Sequence, residues 1–129
     1  NFVKVQSSHV LSIYVQSQFV AFHRWPAAPL EVGFLANWHR HVFKVRIDLG
    51  VTNNDRNLEF FLVQKQLNAI LACWEGEYLT ASCEMFCERI RDTLLPKYPS
   101  LFRVEVSEDG ENGAIVTIEQ HSSTKVEGR

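Results

Sequence analysis

Residues 39–49 read His-Arg-His-Val-Phe-Lys-Val-Arg-Ile-Asp-Leu, and this strict alternation is the strongest constraint on what the chain can become. A period of two puts His39, His41, Phe43, Val45, Ile47 and Leu49 on one face of a strand and Arg40, Lys44, Arg46 and Asp48 on the other. A helix would smear the same residues around its circumference. A strand with one apolar face must pair into a sheet and be covered by a second layer, so the segment demands a packed domain.

The same pattern occurs upstream, where Leu11, Ile13, Val15, Phe19, Ala21 and His23 alternate with polar residues including Ser12, Gln16 and Gln18. This predicts a second long strand over residues 11–23. Between the two, residues 25–37 contain Pro26, Pro29 and Gly33 and read as a loop. Residues 52–57 are rich in Asn and Asp and form a polar turn. Residues 58–72 carry apolar side chains at 58, 61, 62, 67, 70 and 71 without Gly or Pro, which predicts a helix. Thr80 offers an N-cap to a second helix whose stripe is Cys83, Phe86, Cys87, Ile90 and Leu94, ending before Pro96. Residues 101–108 and 114–120 alternate again around a glycine-containing hairpin turn at 109–113.

The order ββααββ predicts an α+β fold, a four-stranded antiparallel sheet with both helices on one face. Such a sheet has two free edges, and assembly of subunits into a closed ring would pair them. A chain of 129 residues suits one domain, taken as residues 1–120, followed by a polar and mobile tail at 121–129.

Composition excludes several classes of function. A net charge of −2 gives no basic footprint for nucleic acid. No apolar run approaches the roughly 20 residues needed to cross a membrane, and the first 25 residues do not read as a secretory signal, so a soluble cytoplasmic protein is expected. The three cysteines form no C-x-x-C pair, which indicates neither a disulfide framework nor a thiolate zinc site.

The histidines carry the chemical signal. His39 and His41 project together from one strand face, and antiparallel pairing can bring His23 beside them from the end of the preceding strand. Three imidazoles leave one position open on a zinc ion for water or a substrate oxygen. Read singly, each would be an ordinary histidine with a hydrogen-bond partner; three on apolar faces favour a metal.

Phe-Val-Ala-Phe-His-Arg at 19–24 followed by His-Arg-His-Val-Phe at 39–43 resembles the zinc motif of the 6-pyruvoyl- and 6-carboxy-tetrahydropterin synthase family, in which the later pair is usually His-Gly-His. Asn-Leu-Glu-Phe at 57–60, Ser-Cys-Glu at 82–84 and Val-Glu-Val-Ser-Glu at 104–108 are similar to later family stretches in the right order. The resemblance implies a tunnelling fold and homo-oligomers, hexamers above all, whose sheets join into a barrel. It implies a pterin or purine-like ring bound at subunit interfaces, with Zn2+ on His23, His39 and His41. Glu108 would grip the ring by a bidentate contact, and Ser82 and Glu84 would join substrate binding.

Two departures stand out. The family's catalytic Cys position, four residues before His39, is Leu35, and residues 71–80 lack the family's Asp-His pair. Cys83, Glu84 and Glu59 are the remaining candidates for proton transfer. For Cys83 a small core residue is the competing reading, for Glu84 a carboxylate settled at a helix start, and for Glu108 an exposed acid opening a turn. Trp25, Trp38 and Trp74 could stack on a heterocycle, though packing roles suit them better. Two functions follow: a zinc-dependent carbon-oxygen lyase or synthase acting on 7,8-dihydroneopterin triphosphate or a related pterin, in pterin or 7-deazaguanine (queuosine-type) biosynthesis; or a zinc protein of the same fold that binds a pterin or purine-like ligand without that chemistry.

Overall fold

The computed structural model describes residues 11–119. The expected tail at 121–129 lies outside the described residues. Two 12-residue strands, β1 (Ser12–His23) and β2 (His39–Gly50), form the centre of the sheet. They pair antiparallel without a break from Ser12 opposite Gly50 to His23 opposite His39. β4 (Leu101–Glu108) pairs antiparallel with β2, and β5 (Asn112–Thr117) with β4.

The sheet gains a strand over the expected four. β3 (Tyr78–Leu79) lies parallel to β1 beside Phe22 and His23, giving the order β3-β1-β2-β4-β5. Two residues leave too little alternation to be read from sequence. The segment expected as a loop holds a 3-10 helix, Leu30–Ala36, in which no residue is buried, so no apolar period marks it.

α1 (Phe60–Leu71) and α2 (Cys83–Leu94) both pack on the same face of the sheet. On α1 the inward row is Val63, Leu67 and Leu71, spaced by four, and Phe61 and Leu62 are 76% and 63% exposed. The apolar count in this segment thus located the helix and misplaced part of its inner face. Glu59 caps α1 by accepting hydrogen bonds from the backbone N–H groups of Phe61 and Leu62, both 3.1 Å. The cap of α2 is Ser82 rather than Thr80, because Thr80 directly follows β3 and the helix begins only at Cys83. Ser82 Oγ accepts from the Met85 N–H at 3.2 Å. The α2 stripe is buried as expected at Cys83, Phe86, Cys87, Ile90 and Leu94.

Phe19 and Phe43 stack across the central strand pair, with centroids 5.0 Å apart, and Phe86 and Trp74 close over them from the helical layer. This aromatic block is the end of the core from which the histidines rise.

Candidate metal centre

The register of β1 on β2 decides where the imidazoles go. His23 lies directly opposite His39, and His41 follows two residues along the same face. All three continue the buried rows of their strands beyond Phe19 and Phe43, where the core opens to solvent. His23 and His41 stand edge-on to the Phe43 ring, at centroid distances of 5.1 and 5.7 Å. The three rings lie 4.5 to 5.2 Å apart, and one nitrogen from each falls within 4.8 Å of the others.

Each ring is oriented through Nδ1. His23 Nδ1 donates to the carbonyl of Ala81 at 2.9 Å, His39 Nδ1 to the carbonyl of Asn37 at 2.8 Å, and His41 Nδ1 to Asp109 Oδ2 at 2.7 Å. A carbonyl or a carboxylate oxygen only accepts, so the proton of each neutral ring sits on Nδ1 and the lone pair on Nε2. Three Nε2 lone pairs with oxygen acceptors behind them form the donor set and outer support that a divalent metal requires. The residues present fit such an ion.

Asp109 is the part of this arrangement that sequence reading treated only as a turn residue. Together with Gly110 it adopts the left-handed region, at φ 58° and 78°, in the hairpin after β4. That conformation turns its carboxylate back onto β2, where Oδ1 accepts from the Val42 N–H at 2.9 Å while Oδ2 receives His41. These two hydrogen bonds, the backbone one first, hold the Asp109 carboxyl below its ordinary pKa. An Asp-Gly turn was visible; the strand it reaches depends on the β2–β4 register, which was not.

Glu108, opposite Phe43 in the ladder, points into the same centre. Its Oε2 is 3.2 Å from His23 Nε2 and its Oε1 is 3.6 Å from His41 Nε2. Burial is the largest influence on His23 and lowers its pKa, outweighing the Ala81 hydrogen bond and the Glu108 charge, which act upward.

A cleft of about 490 Å³ opens beside the histidines. His23, His39 and Glu108 line it together with Ser82, Cys83 and Glu84 at the start of α2. Leu35 sits on its wall. Arg24 also lines it, its guanidinium 5.3 Å from the Trp38 ring centroid and its buried Nε without a hydrogen-bond partner among the described residues. Glu84 is exposed in the first turn of α2. Cys83 is buried, and desolvation, followed by the nearby Glu108 charge, pushes its thiol up to about 12, so it remains protonated at neutral pH. Glu59 is not brought here: its carboxylate caps α1 and lines a different pocket with residues of the 53–56 turn.

The layered α+β architecture is shared with solved proteins. The structure of 6-pyruvoyl tetrahydropterin synthase from Caenorhabditis elegans superposes with a TM-score of 0.67 at 15% identity, covering 84% of this chain and 96% of that one. That of the Plasmodium falciparum 6-pyruvoyl tetrahydropterin synthase gives 0.65 at 14% identity, over 82% and 96%. An uncharacterised protein from Wolinella succinogenes gives 0.52 at 15% identity, over 84% and 98%. No protein-family model and no curated protein matches the sequence. The chain therefore has the tunnelling fold of the 6-pyruvoyl tetrahydropterin synthases, the fold that the order of its motifs led one to expect.

Proposed function

We propose that this chain is a divergent, zinc-dependent member of the 6-pyruvoyl- and 6-carboxy-tetrahydropterin synthase family, acting as a carbon-oxygen lyase or synthase on 7,8-dihydroneopterin triphosphate or a related pterin in the cytoplasm. The single observation that carries the reading is the convergence of three Nδ1-anchored imidazoles, Nε2 inward, at the mouth of a cleft in a tunnelling fold. His23, His39 and His41 would hold the metal, and a zinc ion bound there would supply Lewis-acid polarisation of substrate oxygens.

The rest falls to side chains of this chain. Glu108 can accept two N–H groups from the guanidine-like edge of a pterin, a bidentate charge-assisted contact. Ser82 and Glu84 line the same cleft, and Glu84, exposed and ionisable, would accept a proton there. Cys83, held as a thiol, can donate but not abstract. Arg24 brings a positive charge to the same cleft, which suits a phosphorylated tail. Placement in a pathway to tetrahydropterins or 7-deazaguanine bases follows from that substrate class.

A second reading has its own support. Leu35 lines the cleft at the position where the family resemblance implies a thiol, and a leucine transfers no proton. The protein would then bind metal and a pterin or purine-like ring without turning it over. Incubating the zinc-loaded protein with 7,8-dihydroneopterin triphosphate and following phosphate elimination separates the two. Product formation supports the enzyme; ring binding without product over long incubation supports the binding protein. Metal analysis of the purified protein beside His39→Ala tests the centre common to both, and equal metal content in the two would remove it.

A further inference from the structure

His23 presents a difficulty that the metal reading alone does not resolve. Its Nδ1 proton is committed to the Ala81 carbonyl, so its Nε2 carries a lone pair, yet Glu108 Oε2 lies 3.2 Å from that lone pair. The same holds at His41, where Nδ1 is committed to Asp109 and Glu108 Oε1 lies 3.6 Å from Nε2. Separations of this size suit either a proton held between the pair, as in an imidazolium–carboxylate ion pair, or a metal ion to which both atoms donate. Both oxygens of one carboxylate are engaged in this way with two of the three imidazoles.

We propose that Glu108 is the fourth donor of the metal centre, so that the resting site is a closed set of three imidazoles and one carboxylate rather than a three-histidine site open to solvent. This rests on the metal reading above and adds to it. Position in the ladder makes it feasible: Glu108 is opposite Phe43, two residues from His41 on the same face, and the hairpin that follows is tied to β2 through Asp109. One carboxylate cannot hold the metal and a pterin edge together. Ring binding and the departure of Glu108 from the metal are therefore a single exchange, and the fourth position opens only when a ligand with paired N–H donors takes the carboxylate away.

Cobalt(II) substitution tests this, because its visible absorption reports donor number and type. Wild-type protein, Glu108→Ala and Glu108→Gln are loaded with cobalt, with circular dichroism confirming the fold of each. Glu108→Ala is expected to change the band shape and to weaken metal affinity by at least the roughly 10- to 100-fold that loss of an outer-shell partner costs. Titrating 7,8-dihydroneopterin into the wild type is expected to move its spectrum toward that of Glu108→Ala. Identical spectra and affinities for the wild type and Glu108→Ala would overturn the fourth donor while leaving the three-histidine centre standing. Ring binding that left the wild-type band unchanged would overturn the exchange. A wild-type protein that takes up no metal would overturn this inference together with the reading on which it rests.

Discussion

A histidine presents Nε2 to a shared centre only while its other nitrogen is occupied, and for His41 that occupation rests, among the described residues, on Asp109. Asp109→Ala removes the acceptor and the side-chain tie to the Val42 N–H together, and leaves the backbone bond from the Asp109 N–H to the Val42 carbonyl in place. Metal affinity is expected to fall by about 10- to 100-fold, measured by competition with a chromophoric chelator, with the circular dichroism spectrum unchanged; undiminished affinity would show that Asp109 merely shapes the turn. His23 gives a pH prediction. Burial lowers its folded pKa below the ordinary 6.5, so below that pH the unfolded chain takes up a proton that the folded site refuses. The contribution of His23 to stability is complete above about pH 6.5 and declines as pH falls from there toward the folded value. The urea midpoint of metal-free protein should drop in that window, and His23→Gln should flatten the drop; a wild-type profile level through it would count against the assignment. At this scale the sequence exposed His39 and His41 because a two-residue spacing on a strand is a statement about direction. It hid Asp109 and the grip of Glu108 on the imidazoles, since both depend on which residue of β2 faces which residue of β4.

Elements were legible to the extent that they bury a periodic face. β1, β2, β4 and α2 do so, and their bounds in the structure lie close to those read from alternation or stripe. The 3-10 helix buries nothing and β3 is two residues long, so neither leaves a period to read. The start of α2 shows where local chemistry is ambiguous: Thr80 and Ser82 are both good capping residues, and only the extended path of β3 against β1 selects the later one. Ser82→Ala should therefore destabilise the protein by about 1 kcal/mol, the usual cost of a lost cap, while Thr80→Ala should cost much less. Equilibrium urea unfolding of the two variants decides it. Equal losses, or a larger loss at Thr80, would mean that α2 begins earlier than described. The same cap carries Ser82, Cys83 and Glu84 to the cleft, so its loss should also be felt in ligand affinity there.

At the level of the whole molecule, the sheet ends in one short edge and one longer one, and the helical layer leaves apolar surface uncovered. Ile115 on the β5 edge is 55% exposed, and Phe60, Phe61 and Leu62 at the start of α1 are 55%, 76% and 63% exposed. Trp25 and Met85, at the rim of the cleft, are 50% and 56% exposed. Free edges and adjoining exposed apolar side chains call for a partner, and the proposed partner is a second copy of the chain, sheet joined to sheet in a ring that covers both. Sedimentation equilibrium should return a mass that is a multiple of one chain, and a single-chain mass would dispose of the assembly. Phe61→Asp places a charge in the α1 patch and should shift the protein toward the single chain. Metal binding should survive that shift, because His23, His39 and His41, and the acceptors Ala81, Asn37 and Asp109 that orient them, all belong to one chain. Ligand binding should suffer more, since the exposed rim would then lack its cover. If metal were lost in step with assembly, the centre would need something from a neighbouring subunit, and the three-histidine geometry within one chain would be insufficient by itself.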